Sequence, residues 1–163
     1  MSVSKIMSLE DLVATVEGHR AAGRRLVFTN GCFDLLHVGH VRYLQSAKER
    51  GDILLVAVNG DASVRALKGP ERPINPEADR AEVLAALECV DLVTLFFTPR
   101  VSEVIRAVRP AVYVKGGDYT VASLDAEERA ALEEVGARVE ILALVPGKST
   151  TAVVDKLAAG KVS

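Results

Sequence analysis

A chain of 163 residues with 49% apolar side chains fits one domain with a sizeable core. Its formal net charge of −2 and its lack of Trp exclude a broad electrostatic case for nucleic acid or an anionic membrane surface, and leave no obvious base-stacking platform. No apolar run approaches the roughly 20 residues that span a bilayer, the N-terminus lacks a secretory pattern, and Cys32 and Cys89 stand in no metal-type spacing, so a reduced, cytoplasmic setting is expected.

Ser8 predicts a helix start, with Leu9, Leu12, Val13 and Val16 on one face and Gly23 past its end. This N-terminal stretch, residues 1–24, should pack on a single domain that occupies 1–163. Arg25 to Phe28 reads as a short buried strand. After it come Thr29-Asn30-Gly31-Cys32-Phe33-Asp34, then His37-Val38-Gly39-His40, then Val41 to Arg50 with Val41, Leu44 and Ala47 at helical spacing. The segment is therefore a strand, a turn and a helix start that carries two histidines three residues apart.

A helix N-terminus presents unpaired N–H groups and about half a positive charge, which suits an anion. Two imidazoles that can each donate a hydrogen bond suit a group whose negative charge grows during reaction, such as a nucleotide α-phosphate under attack. Gly39 between them leaves room where a Cβ would intrude. A zinc site would want three or four protein ligands, and the nearest extra histidine, His19, lies in another helix. Phosphate handling is the better reading. Cys32 beside the motif has no evident activating partner and reads as a small packed residue.

Ile53 to Val58 is a continuous apolar run, the pattern of a parallel strand buried on both faces. Asn59-Gly60-Asp61 ends it, where Asn59 and Asp61 suit either a turn with a helix cap or a substrate contact. Lys68 to Pro76 holds three prolines and a glycine in nine residues and must be a loop. Glu77 to Glu88 follows as a helix with Arg80 near its start, where a cation opposes the helix dipole and calls for an anion to hold it. Leu92 to Phe97 is a third strand, Val101 to Val108 a helix, and Ala111 to Val114 a fourth strand. That strand runs into Lys115-Gly116-Gly117-Asp118-Tyr119, a tight turn that can approach a ligand. Ala126 to Val135 is a helix, Arg138 to Leu144 a fifth strand, and Gly147-Lys148-Ser149-Thr150-Thr151 opens a last helix over Ala152 to Ala159. Ser149 and Thr150 can cap that helix, and their hydroxyls and N–H groups can also cradle phosphate.

Strands alternating with helices predict an α/β fold, a Rossmann-like three-layer α/β/α arrangement with a five-stranded parallel sheet. The motifs follow the first, second, fourth and fifth strands, so they should converge on one sheet edge. That convergence argues for a single nucleotide site.

Gly31-x-Phe33-Asp34 followed by His37-x-Gly39-His40 resembles the signature of the cytidylyltransferase-like nucleotidyltransferases. Over nearly the whole chain the match is to the adenylyltransferase family that makes ADP-heptose. It is carried by Val27 to Asp34, Leu67-Lys68-Gly69, Arg72 to Pro76, Val114 to Tyr119, and Ser149 to Thr151. The resemblance implies transfer of AMP from ATP to D-glycero-manno-heptose 1-phosphate, for lipopolysaccharide or other surface-glycan precursors. Mg²⁺ would accompany ATP, a separate sugar kinase would act upstream, and a homodimer is implied. His37 and His40 would stabilise the transition state, with Lys48, Arg80, Ser149 and Thr150 near the phosphates. Thr29, Asn30, Gly31, Cys32, Phe33, Gly39, Lys115, Gly116, Asp118 and Thr151 would line the nucleotide site. Asp34, Asn59, Asp61 and Lys68 would lie toward the acceptor, with Asp34 orienting the turn or the acceptor.

Glycerol-3-phosphate cytidylyltransferases share the histidine motif and the Ser-Thr-Thr ending. They usually read Arg-Thr-Glu-Gly where this chain has Leu144-Val145-Pro146-Gly147, which counts against CTP. Archaeal-type FAD synthetases are a further relative. Ala111 departs from the heptose family, where aspartate is common. A nucleotide-binding regulator without catalysis is the alternative from another class, opposed by the intact His37, His40 and Ser-Thr-Thr segment.

Overall fold

The computed structural model describes residues 4–117, 120–143 and 150–160. In chain order the elements are α1 (Leu9–Ala21), β1 (Leu26–Gly31), α2 (Val38–Lys48), β2 (Ile53–Asn59), α3 (Asp61–Lys68) and α4 (Glu77–Ala85). There follow β3 (Leu92–Phe96), α5 (Ser102–Val108), β4 (Val112–Gly116), a 3₁₀ turn at Val121–Ser123, α6 (Ala126–Val135), β5 (Arg138–Leu142) and α7 (Thr150–Ala158). The five strands pair in parallel in the order β3-β2-β1-β4-β5. The fold is thus the expected Rossmann-like α/β/α arrangement.

Side-chain alternation along the strands sorts the core into two layers. Leu26, Phe28, Leu55, Ala57 and Tyr113 face α1, α5 and α6, meeting Leu12, Val16, Ile105 and Leu132. Val27, Leu54, Val56, Val58, Val112 and Val114 face α2 and α4, meeting Leu44, Ala47, Ala81 and Leu84. All seven residues of β2 are buried, as a central strand covered on both faces requires. Each fully buried Leu or Val contributes roughly 1.5–3 kcal/mol by leaving water. Leu44, 0% exposed on the helix that carries the histidines, would cost about 2–5 kcal/mol on truncation to Ala.

Local signals explain most boundaries. The Ser8 hydroxyl caps α1 by accepting from Asp11 N–H, and Asp125 caps α6 by accepting from Glu127 and Glu128 N–H. Gly136, at φ 71°, ends α6 in the left-handed conformation that glycine adopts without cost. Most strand and helix ends differ from the sequence expectation by a few residues, and three of the differences bear on the site. β1 runs on through Gly31, α2 begins at Val38 rather than Val41, and α4 ends at Ala85 rather than Glu88. α3 was not expected as an element. Its eight residues span Asp61–Lys68 with buried Val64 as their inward anchor, too short a stretch for helical periodicity to stand out.

The sheet reverses direction of growth between β1 and β4. β1 pairs with β2 along its whole length but with β4 only at Val27–Val112 and Phe28–Tyr113. Beyond that point the two strands part, forming the crevice where open α/β sheets bind ligands.

Candidate active site

The β1–α2 turn is built by close packing. Phe33 adopts φ 48°, rare for a side chain with a Cβ, and its ring folds back over the strand end and packs on His40 at 5.7 Å. A Cβ at Gly31 would lie 2.9 Å from that ring, so the turn needs glycine there. His37 in extended conformation caps α2, its Nδ1 accepting from Gly39 N–H at 3.0 Å, while His40 Nδ1 accepts from His37 N–H at 3.3 Å. Gly39 is buried within this turn.

These bonds fix the chemistry of both rings. A neutral imidazole that accepts at Nδ1 carries its proton at Nε2. Burial, the neighbouring His37 and the Lys68 charge depress the His40 pKa from 6.5 to about 4. His40 is therefore neutral near pH 7, and the capping geometry makes Nε2 the donor on both rings. The rings stand 4.0 Å apart at the helix N-terminus, two donors beside an electropositive helix end.

Behind the histidines lies a buried ionic frame. Asp34, 3% exposed, accepts from Ile74 N–H, Asn75 N–H and Arg72 Nε at 2.8–2.9 Å in its shortest contact with each. Burial pushes its carboxyl up, but the Asn75 and Ile74 N–H groups and the Arg72 guanidinium outweigh this and hold it below the usual range. Its carboxylate thus fastens the proline-rich loop to the histidine turn. Arg80, 1% exposed, donates to the carbonyls of Asn75, Cys32 and Asn59 and to Asp61 Oδ1. The anion that holds it is Asp61, at 2.7 Å. Arg80 is a positioning residue that joins the ends of β1 and β2 to the loop, rather than a phosphate ligand.

The same contacts revise other expectations. The Thr29 side chain is 0% exposed and bonds Tyr43 Oη at 2.7 Å, so it supports the floor of the site. Asn59 donates to Ser63 Oγ, and Gly60 rather than Asn59 or Asp61 is the N-cap of α3. Lys48 ends α2, about 16 Å along the helix from its start. It pairs there with Asp91 and the Asp52 carbonyl, residues just before β3 and β2. That is the opposite sheet edge, which removes Lys48 from the catalytic set. The sequence motif places it on the right helix but not at the right end.

Asn30, Gly31, Cys32, Asn59 and Lys115 do converge, on a cleft of about 440 Å³ on the α5–α6 side of the strand ends. Asn30 Oδ1 accepts from Tyr113 Oη there, and burial pushes the Cys32 thiol pKa up, against activation. Gly116 ends β4 close by, and Lys68 ends α3 within electrostatic reach of Cys32 and His40. Arg100, Asp125 and Glu128 also line the cleft. Sequence reading missed them because they sit in a loop and a helix start outside any motif. Asp118 and Ser149 lie outside the described residues, as do the side chains of Thr150 and Thr151. Among the described residues no group of three or more His, Cys, Asp or Glu could hold a metal ion, and no helix is long and apolar enough to cross a membrane.

The cytidylyltransferase-like family profile matches residues 28–155, which takes in the histidine turn, the buried frame and the cleft. The chain belongs to the cytidylyltransferase-like family. That is a family of nucleotidyltransferases. Among curated cytidylyltransferase-like relatives, the chain is 51% identical over 99% of its length to the bifunctional protein HldE of Geotalea uraniireducens. It is 49% identical over 96% of its length to that of Geobacter metallireducens. It spans about a third of those proteins, 32% and 31%. A solved structure, the lipopolysaccharide core biosynthesis protein from Thermoplasma volcanium, superposes with a TM-score of 0.63 at 30% identity, covering 76% of this chain and 98% of that one.

Proposed function

We propose that this chain is an adenylyltransferase, one nucleotidyltransferase domain that transfers AMP from ATP to D-glycero-manno-heptose 1-phosphate and releases pyrophosphate. The observation that carries the reaction type is the His37–His40 pair, two rings 4.0 Å apart at a helix N-terminus, each accepting a backbone N–H at Nδ1 and so leaving Nε2 as donor. Support for the heptose acceptor comes from near-half identity to HldE proteins along almost the entire chain and from the lipopolysaccharide-core relative.

In this reaction a 1-phosphate oxygen attacks the α-phosphorus in line, and the bond to the bridging oxygen of pyrophosphate breaks. Charge rises on the equatorial α-phosphate oxygens and on the leaving group. His37 and His40 donate to those oxygens, and the α2 N-terminus adds its dipole. A phosphate monoester is already ionised at neutral pH, so no protein base is needed. Mg²⁺ would neutralise charge on the triphosphate. Among the described residues no group of three or more His, Cys, Asp or Glu is placed to hold it.

The test crosses ATP and CTP with heptose 1-phosphate and glycerol 3-phosphate in Mg²⁺ and follows pyrophosphate. Release with ATP and the heptose phosphate alone is expected. Release with CTP and glycerol 3-phosphate would assign the chain to the other branch, and ATP binding without release on any acceptor would make it a regulator.

A further inference from the structure

The cleft beside the histidine turn contains a carboxylate that accepts no hydrogen bond among the described residues. Glu128, in the first turn of α6, is 7% exposed and lines the cleft with Asn30, Asn59, Arg100, Lys115 and Asp125. Its neighbour Asp125 is committed, capping α6 through Glu127 and Glu128 N–H and pairing with Arg100 at 3.4 Å. The Glu128 carboxylate has no hydrogen bond or ion pair among the described residues. A carboxylate on a mostly buried residue is favoured by donors that reach it through the cleft. The open side of the cleft is where donors can arrive.

We infer that Glu128 reads adjacent hydroxyl groups of a phosphorylated sugar seated in this cleft. Its two oxygens can take two neighbouring hydroxyls at once, a pattern that an amide cannot match because half of its polar edge donates. The cationic side chains at the rim, Arg100 and Lys115, suit the phosphate of the same ligand. Two ligands of the proposed reaction carry such chemistry, the acceptor sugar and the nucleotide ribose. The inference rests on the nucleotidyltransferase reading and adds the residue that selects a polyol.

The experiment compares wild type, Glu128→Gln and Glu128→Ala by equilibrium titration with MgATP, Mg-2′-deoxy-ATP, heptose 1-phosphate, mannose 1-phosphate and glycerol 3-phosphate. Thermal melting verifies that the variants fold. Steady-state pyrophosphate release then separates KM from kcat. We expect Glu128→Gln to weaken at least one hydroxylated ligand by about tenfold or more, with kcat at saturation nearly kept. Loss confined to the sugar phosphates assigns the acceptor. Loss confined to MgATP, with 2′-deoxy-ATP already weak in wild type, assigns the ribose. Variants that bind every ligand wild type takes with unchanged affinity, or that lose kcat alone, overturn the inference. Failure of the heptose reading would instead show in the wild-type titrations, as binding of other ligands without the heptose phosphate.

Discussion

The backbone N–H of His37 donates to the ring of His40, and the two imidazoles lie 4.0 Å apart. Each histidine is therefore part of the turn that presents the other. This coupling makes the pair sensitive to protonation, because a proton on His40 Nδ1 would remove the acceptor for His37 N–H and set a positive charge against a neighbouring ring.

The sign of the pH effect follows from the depressed pKa. In the unfolded chain His40 binds a proton below about 6.5, whereas in the fold it does so only below about 4. The neutral, folded form is thus favoured above pH 6.5, and that contribution is lost as pH falls from 6.5 towards 4. Melting temperature should decline across this window in wild type and decline less in His40→Asn. Asp34, whose carboxyl is held below its ordinary value of 3.8, adds its loss only at lower pH. Equal slopes in the two proteins would refute the assignment of the window to His40.

His37→Asn should separate capping from catalysis. Asparagine is among the best N-cap residues and can accept from Gly39 N–H, so stability should change by less than about 1 kcal/mol. The Nε2 donor would be gone, and turnover should fall by a factor on the order of 100 to 1000. Pyrophosphate release beside a thermal melt checks both halves.

Arg80→Lys keeps the charge and loses the planar fork that reaches four acceptors. Stranding those buried groups should cost about 3–5 kcal/mol, read as a lower denaturant midpoint. Because Arg80 holds the chain around the site instead of a phosphate, lowering the temperature to restore folding should restore much of kcat. Persistent inactivity in a fully folded variant would return Arg80 to the catalytic set.

Lys48→Ala should leave kcat and both KM values within about twofold. Its ion pair with Asp91 is part-exposed, with side chains 32% and 30% accessible, so the stability cost should be no more than about 1 kcal/mol. A large drop in turnover would contradict its placement at the far sheet edge.

What could be read from residue order alone follows from these contrasts. The strands were legible because β2 is apolar at every position before Asn59, and because α/β alternation permits few topologies. The histidines were legible because their chemistry requires a fixed spacing on one helix start. Arg80 and Asp34 look like ligands in sequence for the reason that makes them scaffolding in space. A charged group can be buried at a loop-rich edge only with a full set of partners, and those partners, Asn59, Asn75 and Asp61, come from distant positions. Lys48 was misplaced because a motif records which helix a residue occupies, while one extra turn decides which end of the sheet it reaches. Glu128 carried no local signal, since an acidic residue in the first turn of a helix is what the dipole already favours.

Tyr43 has a mechanical meaning in this arrangement. Its hydroxyl donates to Val114 O of β4 and meets Thr29 of β1, where the two strands have parted. Burial raises its pKa to about 12, so the phenol keeps the proton it donates. The helix that bears both histidines is thereby bolted across the crevice to each of its walls. Opening the crevice between β1 and β4 would first have to break both bonds of this one hydroxyl.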